Sequence, residues 1–443
     1  MGVSVRLGAG AGFAGDRIDP AVDLVTHGDL DHLVFECLGE RTVAAGHARR
    51  MADPATGHDP LLGRRLSAVL PTAHEKGTTI ITNSGAANPV AGGELARRIA
   101  DRAGVPSRIA VVTGDDVLEV VRDLDPVLWE TGRPLSSETA ELISANAYLG
   151  SDVIVEALET GADVVVAGRV ADPSLYVAPL VHAHGWAADE WDRLGAGTMV
   201  GHLLECAGQL TGGYFADPVT QPVPGLARLG FPFADVDPDG SAVLGKTTTS
   251  GGRLDPRTCA AQLLYEVGDP GAYLTPDVTA DFSAAQLVSA GPDRVALSGG
   301  AGTPRPEQLK VTVGFRDGWL GEGQISYAGP RAVARAELAA EVVRERLVTV
   351  HGLQEDTVTV ELIGAGAAFR GWALARDAPE VRLRVSAHTP REEAAHAVGW
   401  EVESLYTNGP AGGGGARSTH HELVSIRSCL MPRVAVTPRV EVV

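Results

Sequence analysis

Apolar and polar stretches alternate in the first half of the chain in a way that predicts strands followed by helices. Short apolar runs bounded by glycine or polar residues predict buried strands, and five occur: VSVRLGA, LDHLVFEC, TTIITNSG, SRIAVVTGDD and ADVVVAGR. Helical spacing of apolar residues separates them, as in the segment that begins near Asp19. This alternation predicts an α/β domain with a parallel sheet. An open doubly wound sheet and an incomplete barrel both fit five units.

The stretch from Ile143 to Trp186 shows this pattern most clearly. Helical spacing of apolar residues predicts a helix from about Leu142 to Leu158, which Gly161 would end. The strand ADVVVAGR follows, and Asp172 with Pro173 would open the next helix as cap and first residue. In parallel sheets, ligands bind outside the carboxyl ends of the strands.

The remainder of the chain suggests a different organisation. Residues 215–306 lose the strand–helix alternation and are interpreted as a partly β connecting region after an α/β domain at 1–214. Residues 307–443 contain the strands LKVTVGFR, TVTVELIG, EVRLRVSA and ELVSIRSCL, with two helical segments between them. The order β-α-β-β-α-β predicts a ferredoxin-like α+β domain.

Composition narrows the class of protein. The 443 residues carry 37 Lys and Arg against 56 Asp and Glu, a net charge of -19, which argues against nucleic acid as a partner. No apolar run is long enough to span a bilayer and the start lacks a signal pattern, so a cytoplasmic protein without membrane contact is expected. Cys37, Cys206, Cys259 and Cys429 form no CxxC pair, which favours buried free thiols.

The turns after the five predicted strands are short and polar, and they should all open on one edge of the sheet. They supply most of the candidate site residues, namely Gly10, Gly12, Asp16, Arg17, Glu36, Asn83, Asn88, Asp115, Arg169, Asp172 and Ser174. Polar groups from several strand ends at one edge indicate a binding or active site.

Acid–base chemistry is the role expected of the acids in this set. Glu36 and Asp115 would exchange a proton, although either could instead be a structural group such as a helix cap. Arg169, at the end of a buried strand, needs an anionic partner, which is either Asp172 or a substrate carboxylate or phosphate. Lys246 would also hold an anionic group, and Asn146 would join the two other asparagines in orienting a carbonyl.

Two motifs leave alternatives open. GAGAGFAG resembles a dinucleotide fingerprint with imperfect spacing, so an NAD-dependent oxidoreductase is kept as an alternative function. His202 and Glu205 lie three residues apart on one helix face, where they could pair with each other or hold a metal. Two ligands are fewer than a metal needs, so no metal site is predicted and no cofactor is required by the sequence.

Long motifs resemble the acyclic terpene utilisation family over nearly the whole chain. They include GAGFAGDRIDPAV, VFECLGERT, TNSGAANP, ANAYLGSDVIVEALETGADVVVAGRVADPSL, GHLLECAGQLTGGYFAD, LYEVGDPGAYLTPDV, GEGQISYAGP and YTNGPAGGGG. The resemblance implies a link to degradation of citronellol- or geraniol-type compounds through acyl thioesters. It assigns no catalytic residue. Longer members carry an additional ferredoxin-like domain, which in this case would have to be a separate small chain or be missing.

These observations lead to an expected function. We expect a lyase or hydratase that acts on a small carboxylate or acyl thioester, with Glu36, Asp115, Arg169, Asp172 and His202 in catalytic roles. The alternatives are an NAD-dependent oxidoreductase and a subunit that needs a small partner chain to complete its site. An apolar sheet face in the last third would favour association, either as a homo-oligomer or with such a partner chain.

Overall fold

A computed structural model describes residues 3–368 and 377–443. The chain divides into two compact units. The first comprises Met1–Thr139, Ile143–Gly314 and Ile426–Val443, and the second comprises Ala140–Leu142 and Phe315–Ser425. The mixed α/β class expected from the sequence is confirmed.

The strands and helices are as follows, in chain order. The strands are β1 (Val5–Ala11), β2 (His32–Phe35), β3 (Thr79–Thr82), β4 (Ile109–Thr113), β5 (Glu141–Ala147), β6 (Val164–Ala167), β7 (Pro232–Val236), β8 (Ala242–Lys246), β9 (Tyr273–Leu274), β10 (Thr279–Asp281), β11 (Gln286–Gly291), β12 (Arg294–Ser298), β13 (Ala301–Thr303), β14 (Gln308–Ala328), β15 (Val358–Ile363), β16 (Glu380–Thr389), β17 (Gly413–Pro432) and β18 (Arg439–Val442). The helices are α1 (Asp19–His27), α2 (Glu40–Ala52), α3 (Leu62–Lys76), α4 (Pro89–Ala103), α5 (Leu118–Leu124), α6 (Ser151–Glu159), α7 (Ser174–His184), α8 (Trp191–Glu205), α9 (Pro256–Leu263), α10 (Ala332–Thr349) and α11 (Glu392–Asn408).

A ten-stranded open sheet forms the centre of the first unit, in the order β11-β12-β8-β7-β1-β2-β3-β6-β4-β18. Five neighbouring strands of this sheet, β1, β2, β3, β6 and β4, pair in parallel, as the apolar runs predict. The strands of the 215–306 region that join this sheet extend it by antiparallel pairing beyond β1. Because the order has two ends, the sheet is open and does not close into a barrel.

The parallel strands are buried on both faces. All four residues of β6 are fully inaccessible to solvent, and so are Ile80 and Ile81 of β3. This burial explains why the runs are continuously apolar instead of alternating. The carboxyl ends of β1, β2, β3, β4 and β6 therefore meet at one edge, which is where the polar turns lie.

One local prediction from helical spacing is wrong. Residues 141–147 form strand β5, and the helix starts only at Ser151. Ile143, Ala145 and Ala147 are all buried in the strand, together with the polar Asn146 between the last two. A segment buried on both faces has no polar face, so the spacing of its apolar residues cannot distinguish strand from helix.

The second unit contains a sheet in the order β15-β16-β14-β17, with β5 pairing to β14. Helices α10 and α11 pack on β16. The alternating residues Val381, Leu383 and Val385 lie in the core with residues of these helices. The intervening residues of β16 are polar, and Arg384 donates to Glu361 at 2.5 Å. The apolar residues of β16 that suggested an uncovered apolar face therefore pack under the helices.

Across the described part of the chain, no helix combines the length and the apolar character that crossing a bilayer requires.

Candidate functional site

A cavity of about 760 Å³ lies in the first unit at the carboxyl edge of β1 and β2. Its wall includes the turn after β1, the residues after β2, Asp172 after β6 and the end of α8. Its lining contains several carboxyl groups, those of Asp16, Glu36, Glu40, Asp172, Glu205 and Glu266. Arg17 is the cation among the described residues that line it. A concave site with convergent titratable groups is the usual form of an active site.

Glu36 stands directly after β2 and is 5% exposed. Its Oε1 accepts from the Asn83 side chain at 2.9 Å and from the backbone N–H of Leu38 at 2.7 Å. Burial raises the pKa of Glu36 well above its ordinary value, and the nearby charge of Asp172 adds to this effect. Burial therefore favours the protonated form of Glu36, whose side chain lines the cavity.

His202 and Glu205 form the pair that the sequence allowed. His202 Nδ1 lies 2.9 Å from Glu205 Oε1, and His202 Nε2 lies 3.2 Å from the carbonyl oxygen of Leu263. A carbonyl can only accept, so the Nε2 carries a hydrogen and the second proton of the pair lies between Nδ1 and Oε1. Burial raises the pKa of Glu205 to about 7. Burial lowers the pKa of His202, but Glu205 together with the backbone carbonyls of Leu263 and Gln262 raises it above its ordinary value. The pair can thus take or release a proton near neutral pH.

Arg169 lies behind the cavity wall. Its side chain is 2% exposed and donates to Asp172 Oδ1 at 3.0 Å and to the carbonyl oxygen of Leu38. Its guanidinium also stacks over the Tyr148 ring at 4.0 Å from the centroid. Of the two partners that the sequence left open for Arg169, the structure supplies the internal one, Asp172. Asp172 itself lines the cavity, with a side chain that is 32% exposed.

Glu40 contributes a fixed negative charge to the same cavity. Its Oε1 accepts from the Tyr148 hydroxyl at 2.8 Å and from Lys310 at 2.9 Å. Burial opposes ionisation, but Lys310 outweighs it and lowers the pKa of Glu40 to about 2. Glu40 therefore remains ionised at neutral pH, whereas burial favours the protonated form of Glu36 in the same cavity.

The turn after β1 forms the mouth of the cavity. Asp16 Oδ2 accepts from the backbone N–H of Gly12 at 2.9 Å, which closes the turn. Gly12 must be glycine because a Cβ there would lie 2.6 Å from the carbonyl carbon of Cys206. Arg65 is buried and paired with Asp59. It also donates to the carbonyl oxygen of Ala14 at 2.6 Å, which helps to hold the turn in place. Arg17 is exposed at the rim, where it can meet an anionic group.

Comparison with known protein families matches residues 5–442 to the family described as acyclic terpene utilisation family protein AtuA. The chain belongs to the acyclic terpene utilisation family. The resemblance inferred from the motifs is thereby confirmed over nearly the whole chain. A search of curated proteins and a search of solved structures each gave no match.

In this family member, the cavity brings together only some of the predicted site residues. Those that line it are Gly12, Asp16, Arg17, Glu36, Asp172 and Glu205. Asn83 stands behind Glu36, since its Oδ1 accepts from the backbone N–H of Cys37 at 2.7 Å and its amide bonds Glu36. His202 stands behind Glu205 in the same way. These two residues position carboxyls of the wall.

Five other predicted residues make internal contacts outside the lining. Asp115, with a pKa that burial raises to about 6, accepts from Asn146 and from the backbone N–H of Arg169, both at 2.8 Å. Asn146 also lies 2.9 Å from His47 Nε2. Asn88 caps α4 and donates to the carbonyl oxygens of Pro54 and Thr56. Ser174 donates to the buried Asp277. Gly10 packs against the Phe35 ring, so closely that a Cβ there would lie 2.7 Å from it.

Lys246 is paired away from the cavity. Its Nζ lies 3.1 Å from Asp293 and 3.1 Å from the carbonyl oxygen of Ser250. The side chain is 4% exposed. Lys246, which the sequence suggested would hold an anionic group, thus forms an internal ion pair with Asp293.

Sequence reasoning missed Cys206, Gln209 and Glu266 among the cavity residues. Glu266 adopts a left-handed backbone with φ of 58°, unusual for a residue other than glycine. It belongs to LYEVGDPGAYLTPDV, one of the motifs shared with the family, which is the signal that could have identified it. Cys206 follows Glu205 directly. Three cysteines are buried, as predicted, and Cys206 is partly exposed.

The described residues contain no group of three or more His, Cys, Asp or Glu side chains arranged to hold a metal ion. His202 and Glu205 pair with each other, as described above.

Proposed function

We propose that this acyclic terpene utilisation family protein is an acid–base enzyme of the hydratase or lyase class. It would act on a small unsaturated acyl thioester or carboxylate. The observation that carries the proposal is the pair Glu36 and Glu205: two carboxyls with raised pKa values, from different elements, in one cavity. Such a pair supplies an acid and a base at neutral pH.

The two carboxyls differ in what they are suited to do. Burial favours the protonated form of Glu36, and its hydrogen-bond donors are the Asn83 amide and the backbone N–H of Leu38, both neutral, so it is suited to donate a proton. Glu205 can exist as a carboxylate beside an imidazolium, because His202 can hold the shared proton. Glu205 is therefore suited to accept a proton. His202 acts through Glu205 and is a positioning residue.

The mouth of the cavity supports a substrate with an anionic group and an apolar part. Arg17 supplies a positive charge at the rim. It would hold the anionic group, a role that the sequence suggested for Arg169 and Lys246. Phe13 and Leu226, also at the lining, are 59% and 42% exposed. Exposed apolar side chains beside a polar cavity are suited to a hydrocarbon chain. This agrees with the acyclic terpene link of the family.

The NAD-dependent alternative receives less support from the glycine-rich turn. The carboxylate of Asp16 occupies the Gly12 N–H group, and α1 begins with Asp19. Both groups would repel a pyrophosphate, which a dinucleotide site binds with backbone N–H groups and a helix N-terminus.

The test uses the conjugated thioester 3-methylcrotonyl-coenzyme A and, in parallel, free 3-methylcrotonate. We expect loss of the ultraviolet absorbance of the conjugated thioester and a product heavier by one water. Glu36→Gln and Glu205→Gln should each lower kcat by about a hundredfold or more. Arg17→Ala should raise KM by about tenfold with little change in stability, because the side chain is exposed.

Glu75→Gln, at an exposed position on α3, is the matched control and should behave as wild type. Conversion that persists at the wild-type rate in both cavity variants would contradict the proposal. So would the lack of any reaction with either substrate.

We also infer that the second unit is ferredoxin-like. The sheet order β15-β16-β14-β17 and the two helices α10 and α11 support this assignment. Association as a homo-oligomer, or with a small ferredoxin-like partner chain, remains a proposal. Light scattering of the purified chain would test it, and a strictly monomeric species would contradict the homo-oligomer.

A further inference from the structure

Two buried oxygen atoms near the cavity have no hydrogen-bond partner among the described residues. They are the hydroxyl of Tyr176 and the second carboxyl oxygen, Oε2, of Glu205. Tyr176 is 0% exposed. A buried polar atom without a partner is costly, so native structures rarely keep one without a function or a bound molecule. One of these atoms is a donor and the other is an acceptor.

The fold places these two oxygens on neighbouring helices. Tyr176 lies in the first turn of α7 and Glu205 in the last turn of α8. The helices pack closely enough that a Cβ on Gly201 would lie 2.7 Å from the carbonyl oxygen of Pro173. Burial raises the pKa of Tyr176, and Glu36 and Glu205 raise it further when they are ionised. The phenol is thus within electrostatic range of both carboxyls of the proposed acid–base pair.

We propose that Tyr176 and Glu205 together form the binding site for the water molecule that is the second substrate of hydration. The Tyr176 hydroxyl donates to the water oxygen, and Glu205 Oε2 accepts one of the water hydrogens. A buried water needs two or more polar partners, and a donor together with an acceptor also fixes its orientation. This inference rests on the proposed hydratase function and adds the residue that binds water to it.

The step that follows is balanced. The water oxygen forms a bond to the β carbon of the unsaturated acyl group while one water proton passes to Glu205. The electron pair of the carbon–carbon double bond moves to the α carbon, which receives the proton of Glu36. One water is added, and solvent then returns a proton to Glu36 and removes one from Glu205. In this scheme Tyr176 touches the reacting water and Glu36 does not.

The experiment separates water addition from proton transfer at the α carbon. Hydration is followed with 3-methylcrotonyl-coenzyme A. Proton transfer alone is followed as deuterium uptake by the saturated 3-methylbutanoyl-coenzyme A in heavy water. In the Tyr176→Phe variant, hydration should fall by about tenfold or more in kcat, since one oriented donor is lost. Deuterium uptake should stay within about twofold of wild type, because Glu36 is intact. Glu36→Gln should lose both.

Tyr327→Phe is the matched control. Tyr327 is also 0% exposed and its hydroxyl also lacks a partner, but it lies in the second unit. Burial raises the pKa of Tyr327, and the nearby charge is that of Arg335, which lowers it. This variant should keep both activities. Neither phenylalanine variant should melt at a much lower temperature than wild type, because neither hydroxyl has a hydrogen-bond partner among the described residues.

The outcomes distinguish this inference from the proposed function. Wild-type hydration rates in Tyr176→Phe would overturn the role of Tyr176 while leaving the hydratase proposal standing. Parallel loss of hydration and deuterium uptake in that variant would also overturn it, because the residue would then be structural. If the wild-type protein hydrates nothing, a high-resolution crystal structure decides. An ordered water within hydrogen-bond distance of Tyr176 Oη and Glu205 Oε2 supports the site, and its lack refutes it.

Discussion

Replacing Glu205 with glutamine should change the pH dependence of stability in a predictable direction. Burial raises the pKa of Glu205 from 4.5 to about 7 in the folded protein. Between these two values the folded protein holds a proton that the unfolded chain has released. The free energy of unfolding of the wild-type protein therefore falls as the pH rises from about 4.5 to about 7. Each pH unit corresponds to about 1.4 kcal/mol, so this loss amounts to about 3 kcal/mol.

Glutamine does not titrate, so the variant lacks this loss. Its amide can still donate to His202 Nδ1, which Glu205 Oε1 approaches at 2.9 Å in the wild type. Relative to wild type, Glu205→Gln should gain about 3 kcal/mol of stability on going from about pH 4 to about pH 8. The difference between the two pH values is the predicted quantity, because it is independent of any constant packing effect of the substitution.

Urea unfolding at several pH values, with the exposed Glu75→Gln as control, measures this difference. The control should track the wild-type curve at every pH. A stability difference between Glu205→Gln and wild type that stays constant with pH would refute the reasoning. It would mean that Glu205 has its ordinary pKa in the folded protein, and the proposed base would then have no reason to be basic.

Two further substitutions test how the cavity wall is held. Arg169→Lys should lower the free energy of unfolding by about 3 kcal/mol, because lysine cannot replace the hydrogen bonds of a buried arginine paired with Asp172. Urea titrations measure this, and unchanged stability would show that the pair is dispensable. Gly12→Ala should lower the melting temperature, because the new Cβ would lie 2.6 Å from the backbone of Cys206. Gly39→Ala should not, because its Cβ would have no neighbour nearer than 3.8 Å. Equal melting temperatures for the two variants would contradict the close packing of Gly12 against Cys206.

The sequence identified the sheet edge better than it identified the groups that meet there. Apolar runs predict strands, and strand ends share an edge, so Glu36 and Asp172 could be placed together from the sequence alone. Which polar residue after a strand faces the cavity depends on side-chain direction and on neighbours distant in sequence. Asp115 points to Asn146, and Arg169 points back to Leu38 and Asp172. These partners could not be read from local patterns.

The same limit applies to residues that reach the cavity from outside the strand–helix units. Glu205 was recognised through its spacing from His202, as a partner for that histidine or as a metal ligand, and its place in the cavity wall could not be read from that spacing. Glu266 lies in a region without periodic pattern, where only the shared family motif marks it. Residue periodicity reports burial, and burial on both faces removed even that signal at β5.

Strand β18 pairs with β4 at the edge of the large sheet, although the whole of the second unit is encoded between them. During synthesis, β4 is made early and its outer edge stays unpaired until β18 has left the ribosome. An unpaired strand edge can pair with another chain, so this interval is when the nascent protein is most exposed to aggregation. Slow translation or a stall within the second unit would lengthen that interval. Chaperone demand should therefore depend on residues that take no part in the cavity.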